Sequence, residues 1–151
     1  MTLRVLVCRV EQEPVAEEIT PGYLSFEKVV GGHVEYLCIE EGIDLWCNQK
    51  GRILNLPLNR RFAARAPSVE PGVAVIKTDE NLADPGQWGY HAIHGDFFLA
   101  RSDSEGSTTS LTDEDIQRFS KLFGLCCATC SEALEHAGAV YCGATCAARA
   151  A

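Results

Sequence analysis

Apolar and polar positions along the chain outline a mixed domain before any composition is counted. Leu3 to Val10 is β-branched and largely apolar and reads as a first strand. Glu11 to Glu18, with Pro14 inside it, reads as a polar connection. Thr20 and Pro21 then open a helix, with Thr as N-cap and Pro at the first helical position, where its missing N–H costs nothing. That helix carries Tyr23, Leu24, Phe26 and Val30 and stops at Gly31-Gly32. Val34–Ile39 and Ile43–Cys47 are the next strands, joined by Glu40-Glu41-Gly42. Asn48 to Gly51 is a turn, after which Arg52-Ile53-Leu54 is expected to pair back as a short strand.

From Asn55 the pattern breaks into Leu56-Pro57-Leu58-Asn59-Arg60-Arg61 and an Ala/Pro-rich stretch reaching Pro71-Gly72. Val73–Ile76 and Gly95–Ala100 read as strands, with a long loop from Asn81 to His94 between them. Ser102 to Ser110 is a polar turn. Thr112 caps a second helix, Asp113–Phe123, whose acidic first turn suits the helix dipole. Its Ile116, Phe119 and Phe123 share one face at three- and four-residue spacing. The fold class is therefore α+β: a small, mostly antiparallel sheet with two helices over residues 1–125, then a separate cysteine-rich module over 126–151.

Composition narrows the function more than the fold. The chain has 151 residues, 46% hydrophobic and 23% charged, which is too apolar for intrinsic disorder and long enough for one self-sufficient core. No apolar run approaches the roughly 20 residues of a membrane span. The N-terminus runs straight into a strand pattern without a signal-peptide layout, so the expected location is the cytoplasm. Thirteen basic against 21 acidic residues give a net charge of −8, which disfavours broad binding to phosphate backbones. The exception is Arg52 to Arg65: residues 51–75 hold four basic groups and one acidic.

Several stretches together resemble a known family. They are Val29-Val30-Gly31-Gly32-His33-Val34-Glu35, Leu45-Trp46-Cys47-Asn48, Leu56-Pro57-Leu58-Asn59-Arg60-Arg61, His94-Gly95-Asp96-Phe97 and Ser110-Leu111-Thr112-Asp113-Glu114. With the order of elements over residues 3–123, they look like the domain-of-unknown-function family numbered 3846. The resemblance covers about four-fifths of the chain, and the Leu-Pro-Leu-Asn-Arg-Arg run is its most specific part. It implies a small protein of bacteria, phages or mobile elements and assigns no catalytic residue. The chain departs from the family pattern in its insertion between Pro71 and His94 and in its cysteine-rich tail.

Five of the eight cysteines fall in the last 26 residues. Cys127-Ala128-Thr129-Cys130 and Cys142-Gly143-Ala144-Thr145-Cys146 are two close pairs separated by 11 residues. Such pairs on tight turns bring four thiolates onto one Zn2+ at about 2.3 Å. The second pair opens an Ala-rich helix, whose N–H groups favour thiolate charge. The pattern looks like a short treble-clef zinc module, with Cys127, Cys130, Cys142 and Cys146 as ligands. Cys126 offers an alternative register, His136 a replacement ligand, and a redox dithiol a different chemistry, although a redox motif needs only one pair. Cys8, Cys38 and Cys47 sit in apolar strands and read as small buried hydrophobes.

Two further groups were weighed. His91, His94 and Asp96 would form a metal triad on a helix, but their segment runs into a strand, where residues three apart face opposite ways. Asn59, Arg60 and Arg61 follow a Pro-bearing turn and offer an anion or partner contact, against the alternative that Arg pairs locally and Asn caps the turn. No Gly-rich phosphate loop, nucleophile elbow or His-Glu-x-x-His motif is present. The expected function is a non-enzymatic interaction or regulatory protein, phage- or mobile-element-associated, with a structural zinc and another protein as partner. Nucleic-acid binding through the zinc module and Arg52–Arg65, and an enzyme using His91, His94 and Asp96 or exposed thiols, are the alternatives.

Overall fold

The computed structural model describes residues 1–40, 42–65, 75–76 and 88–124. The elements run β1 (Leu3–Cys8), β2 (Val15–Ile19), α1 (Tyr23–Val30), β3 (Val34–Glu40), β4 (Ile43–Asn48), β5 (Leu58–Arg65), β6 (Val75–Ile76), β7 (Trp88–His94), β8 (Phe97–Ser102), β9 (Thr108–Thr109) and α2 (Asp113–Leu122). The main sheet is ordered β2-β1-β8-β4-β3, with β9 beside β8, and a smaller sheet is ordered β6-β5-β7. Neighbours in both sheets are antiparallel. The α+β class with a mostly antiparallel sheet and two helices is as the sequence pattern predicts.

Strand alternation gives the main sheet two apolar faces, and each takes a helix. Leu6 and Cys8 of β1, Leu45 and Cys47 of β4, and Phe97 and Leu99 of β8 form one core with Phe119 and Phe123 of α2 and Ile93 of β7. Leu3, Val5 and Val7, with Trp46, Phe98 and Ala100, form the other with Phe26 and Val30 of α1. The registers Leu6↔Leu99↔Leu45 and Val7↔Phe98↔Trp46 line up each layer across the three central strands. Complete burial of Val5, Leu6, Phe97, Phe98 and Leu99 marks this as the hydrophobic centre.

Helix ends follow local chemistry. Gly31 adopts a left-handed conformation (φ 79°), and its N–H and that of Gly32 both bond the Glu27 carbonyl, ending α1 as expected. The start of α1 differs from the expectation: Gly22, not Thr20, is its N-cap, and no side chain caps it. At α2, Thr112 accepts from the Asp115 N–H, and the Asp115 carboxylate accepts from the Thr112 N–H. Asp115 also takes a two-pronged contact from Arg101 of β8, at 2.6 and 2.8 Å, fastening the helix start to the sheet.

Four segments read as non-strand are strands, the shortest being β9 within the expected polar turn. Val15–Ile19, within the expected polar connection, is the edge strand β2, whose Glu17 is paired with Arg9. Edge position explains its polar composition, since charges on an edge block further pairing. Leu58–Arg65 and Trp88–His94 form the β5–β7 ladder where a break and a long loop were expected. Conversely, Arg52-Ile53-Leu54 is a turn rather than a strand, with Ile53 and Leu54 exposed.

The Asp115 side chain is almost fully buried. Burial raises its pKa, but hydrogen bonds from Arg101 and Thr112 outweigh that and hold it at about 2. A carboxyl lowered in the folded state adds stability above its unfolded pKa, and that stability is lost as pH falls through the folded value. Unfolding free energy should therefore drop by roughly 2 kcal/mol between about pH 4 and pH 2 on account of this group. Asp115→Asn should lower stability at neutral pH and flatten that acid limb in urea titrations. Parallel pH profiles for the two proteins would contradict the assignment.

Candidate functional site

The Asn-Arg-Arg run lies at an irregularity in β5. Leu58 faces His94 and Arg60 faces Ile93, so Asn59 is the extra residue of a bulge. A regular strand sends neighbours to opposite faces, whereas here both Asn59 and Arg60 are fully buried. Asn59 Nδ2 donates to the carbonyls of Cys8 (2.7 Å) and Gly95 (2.9 Å), and its Oδ1 accepts from Arg60 Nη1 (2.6 Å). Arg60 Nε donates to the Phe123 carbonyl (2.9 Å), Nη2 to Gln12 (2.7 Å) and Nη1 also to the Asn59 carbonyl (3.2 Å). Burial pulls the Arg60 pKa down, opposed by Cys8 and Glu13.

The expectation of an accessible anion or partner contact is corrected for Asn59 and Arg60. Their polar atoms are spent on main-chain carbonyls, including the C-terminal end of α2, where a cation is favoured. For Arg61 the structure gives its place in the ladder, opposite Ala92.

The histidine candidates are likewise separated. His91 and His94 both belong to β7, with His91 opposite Phe62 and His94 opposite Leu58 in the ladder. Asp96 accepts from the Val10 N–H at 2.9 Å, tying the β7–β8 connection to the segment after β1. His94 Nδ1 lies 3.1 Å from the Leu56 carbonyl, which can only accept, so Nδ1 carries the proton. His94 lines a small cavity of about 260 Å³ with Glu35, Cys47 and Arg52. There, burial, and then Glu35, push the Cys47 thiol up to about 12, and burial does the same to Cys8. Both thiols are protonated at neutral pH and are poor nucleophiles.

Among the described residues an open concavity lies on the other face of the main sheet, where the eight-residue α1 leaves β3, β4 and β8 partly uncovered. It is a groove of about 760 Å³. Tyr23, Phe26, Tyr36 and Trp46 make its aromatic side, and Cys38, Asp44, Ser102 and Thr108 its polar side. Trp46 is packed at ring-centroid distances of 5.0 Å from Phe26, 5.1 Å from Tyr36 and 6.2 Å from Tyr23. Tyr23 and Tyr36 are mostly exposed (64% and 62%), which is costly for large rings unless something covers them. Trp46 is 6% exposed, and its indole Nε1 is buried without a hydrogen-bond partner among the described residues.

Asp44 is buried too, two residues from Trp46 on the same face of β4. Burial raises its pKa, partly offset by hydrogen bonds from Ser102 and Cys38. No salt bridge among the described residues reaches it. Asp44 and Trp46 were not singled out as site residues from the sequence. The available signal was period two: Asp44, Trp46 and Asn48 alternate with Ile43, Leu45 and Cys47, placing a carboxylate inside a central strand.

Cys127, Cys130, Cys142 and Cys146, with Cys126 and His136, lie outside the described residues. Among the described residues no group of three or more His, Cys, Asp and Glu side chains is placed to hold a metal. No helix among them is long and apolar enough to cross a membrane.

A main antiparallel sheet with one short helix on each face, a smaller second sheet with a bulge-borne internal Arg, and an open aromatic groove define a small α+β domain. The chain belongs to the family described as Domain of unknown function (DUF3846), whose profile matches residues 1–124. No curated protein and no solved structure matches it.

Truncating Arg60 should be among the most damaging changes available. Arg60→Ala leaves three main-chain carbonyls and Asn59 Oδ1 without their donor and should cost roughly 3–5 kcal/mol. Arg60→Lys, lacking the planar fork, should recover only part of this. Arg52→Ala, at an exposed turn position, should change stability by less than about 0.5 kcal/mol. Equal urea midpoints for Arg60→Ala and Arg52→Ala would overturn the structural role.

Proposed function

We propose that this protein is a non-enzymatic interaction module whose contact surface is the groove around Trp46. The observation that carries this reading is the pairing, in one open concavity, of exposed aromatic rings with buried polar groups that lack strong partners. Aromatic side chains dominate the energetics of protein contacts, and a half-exposed Tyr beside a buried Trp is the arrangement that gains most from being covered. The raised pKa values of Cys8 and Cys47, and the structural engagement of Asp96 and His94, weigh against an enzyme built on those residues. Burial of Arg60 removes one cation from the basic stretch on which a nucleic-acid reading depends.

The cysteine tail belongs to the proposal as a structural Zn2+ module held by Cys127, Cys130, Cys142 and Cys146. Support comes from the donor set: four thiolates in two close pairs suit a tetrahedral ion and leave no open position for chemistry. Association with phage or mobile-element functions rests on the family resemblance alone.

Two measurements test these parts separately. A photo-crosslinking residue, Tyr36→p-benzoylphenylalanine, should give one discrete adduct in cells, while the same residue at Gln117, exposed on α2 at the opposite face, should give none. Equal crosslinking from both positions would remove the groove as the contact surface. For the tail, elemental analysis should find about one zinc per chain, lost in Cys130→Ala. Metal-free wild-type protein with an undiminished melting point would remove the zinc assignment.

A further inference from the structure

The chemistry of the groove narrows its occupant, granted the interaction role proposed above. Asp44 sits in the groove as a buried carboxylate, and the donors that reach it are neutral: the Ser102 hydroxyl and the Cys38 thiol. The Cys38 thiol is also shared, since its Sγ lies 3.1 Å from the Glu40 carbonyl. Buried carboxylates ordinarily have a cation beside them, because removal from water costs several kcal/mol that weak donors do not return. The neighbouring Arg101 is directed elsewhere, to Asp115 at the base of α2.

The described lining of the groove contains no Lys, Arg or His. Its aromatic side presents Tyr36 and Trp46 with centroids 5.1 Å apart and planes tilted by 39°, and Tyr23 beyond them. Ring faces of this kind attract cations, most strongly where water is displaced. The turn carrying Asp103 and Glu105 contributes Gly106, Ser107 and Thr108 to the lining. The whole chain carries a net charge of −8. Unpaired buried charge, ring faces and an acidic surround all ask for a positively charged guest. A groove of this size, open to the surface, holds a side chain together with the segment that bears it.

We propose that the groove receives a lysine or arginine side chain from an extended segment of a partner protein, its charged head against Asp44 and its aliphatic stem across Tyr36 and Trp46. Such a side chain satisfies both sides of the groove at once: the stem covers apolar ring surface while the head neutralises the carboxylate.

The test is a titration of the full-length protein, isotopically labelled, with short blocked peptides carrying a central lysine or arginine in an alanine-glycine context. The Trp46 indole and Tyr36 resonances should shift and saturate. The same peptide with Nε-acetyl-lysine should bind at least about tenfold more weakly, because the cation is gone and the length is kept. Asp44→Asn should weaken the lysine peptide by a similar factor. Should Asp44→Asn melt early, Tyr36→Ala, at an exposed position, keeps the test available and should also weaken binding. Four outcomes would overturn the proposal: equal binding of the acetylated peptide, indifference to both substitutions with shifts spread over the acidic surface, tetramethylammonium binding as tightly as the peptide, or a change at Trp46 caused by Arg149→Ala alone. The third would assign the groove to a small free cation and the fourth to the chain's own tail. If the peptides fail while the Tyr36 crosslink persists, the groove binds a partner by other chemistry; if both fail, the interaction role itself is lost.

Discussion

A guanidinium bonded to main-chain carbonyls, buried at the junction of three chain segments, is the constraint on which this fold turns. Arg60 reaches the turn after β1 through Gln12 and the end of α2 through Phe123, while its neighbour Asn59 reaches Cys8 and Gly95. Three stretches distant in sequence, around Cys8 to Gln12, Gly95 and Phe123, are thereby fixed by two adjacent side chains. Main-chain carbonyls are good partners for this purpose, since they carry partial charge without needing to be desolvated as ions. The arrangement depends on the bulge, because only an extra residue lets neighbours on one strand point the same way.

The two faces of the main sheet are served unequally. On one face, Phe119 and Phe123 close over Leu6, Leu45, Phe97 and Leu99, and Asp115 and Arg118 add ion pairs to Arg101 and Glu40. On the other, α1 offers only Phe26 and Val30 as buried residues, enough to cover Val5, Val7 and Phe98 but not the outer half of β3 and β4. The groove is the direct result of a helix too short for its sheet. Tyr23 and Tyr36 stand at the boundary between covered and uncovered surface, which is where rings with one polar edge are most useful.

What was legible in the sequence was whatever local pattern controls. Thr112 and Asp115 frame α2 by a capping box, Gly31 ends α1, and alternation in β4 and β8 marks central strands. The strands that were missed are those whose residues answer to distant partners: β2 is polar because it is an edge, and β5 and β7 are stabilised by each other rather than by alternation. The Asn-Arg-Arg run stands out in the sequence, but its pattern leaves a surface contact and a local structural role both open, since a bulge leaves no local mark. Asp44 and Trp46 were readable in principle, as a carboxylate and an indole on one face of a strand. The groove was not, because it depends on where α1 stops relative to β3 and β9.

The position of β8 has a consequence for how the chain is made. It lies between β1 and β4, so the N-terminal strand has no neighbour on its inner side until Phe97 to Leu99 exist to pair with Leu6 to Cys8. During synthesis at roughly 5–20 residues per second, the β1–β2 hairpin waits on the order of five to twenty seconds with Leu3, Val5 and Val7 uncovered. Contacts this remote along the chain also slow folding once synthesis is complete, because a long loop must close before any of them forms. Glu17 of β2, paired with Arg9 just after β1, then has a second use: it guards the outer edge of a hairpin that is born long before β8.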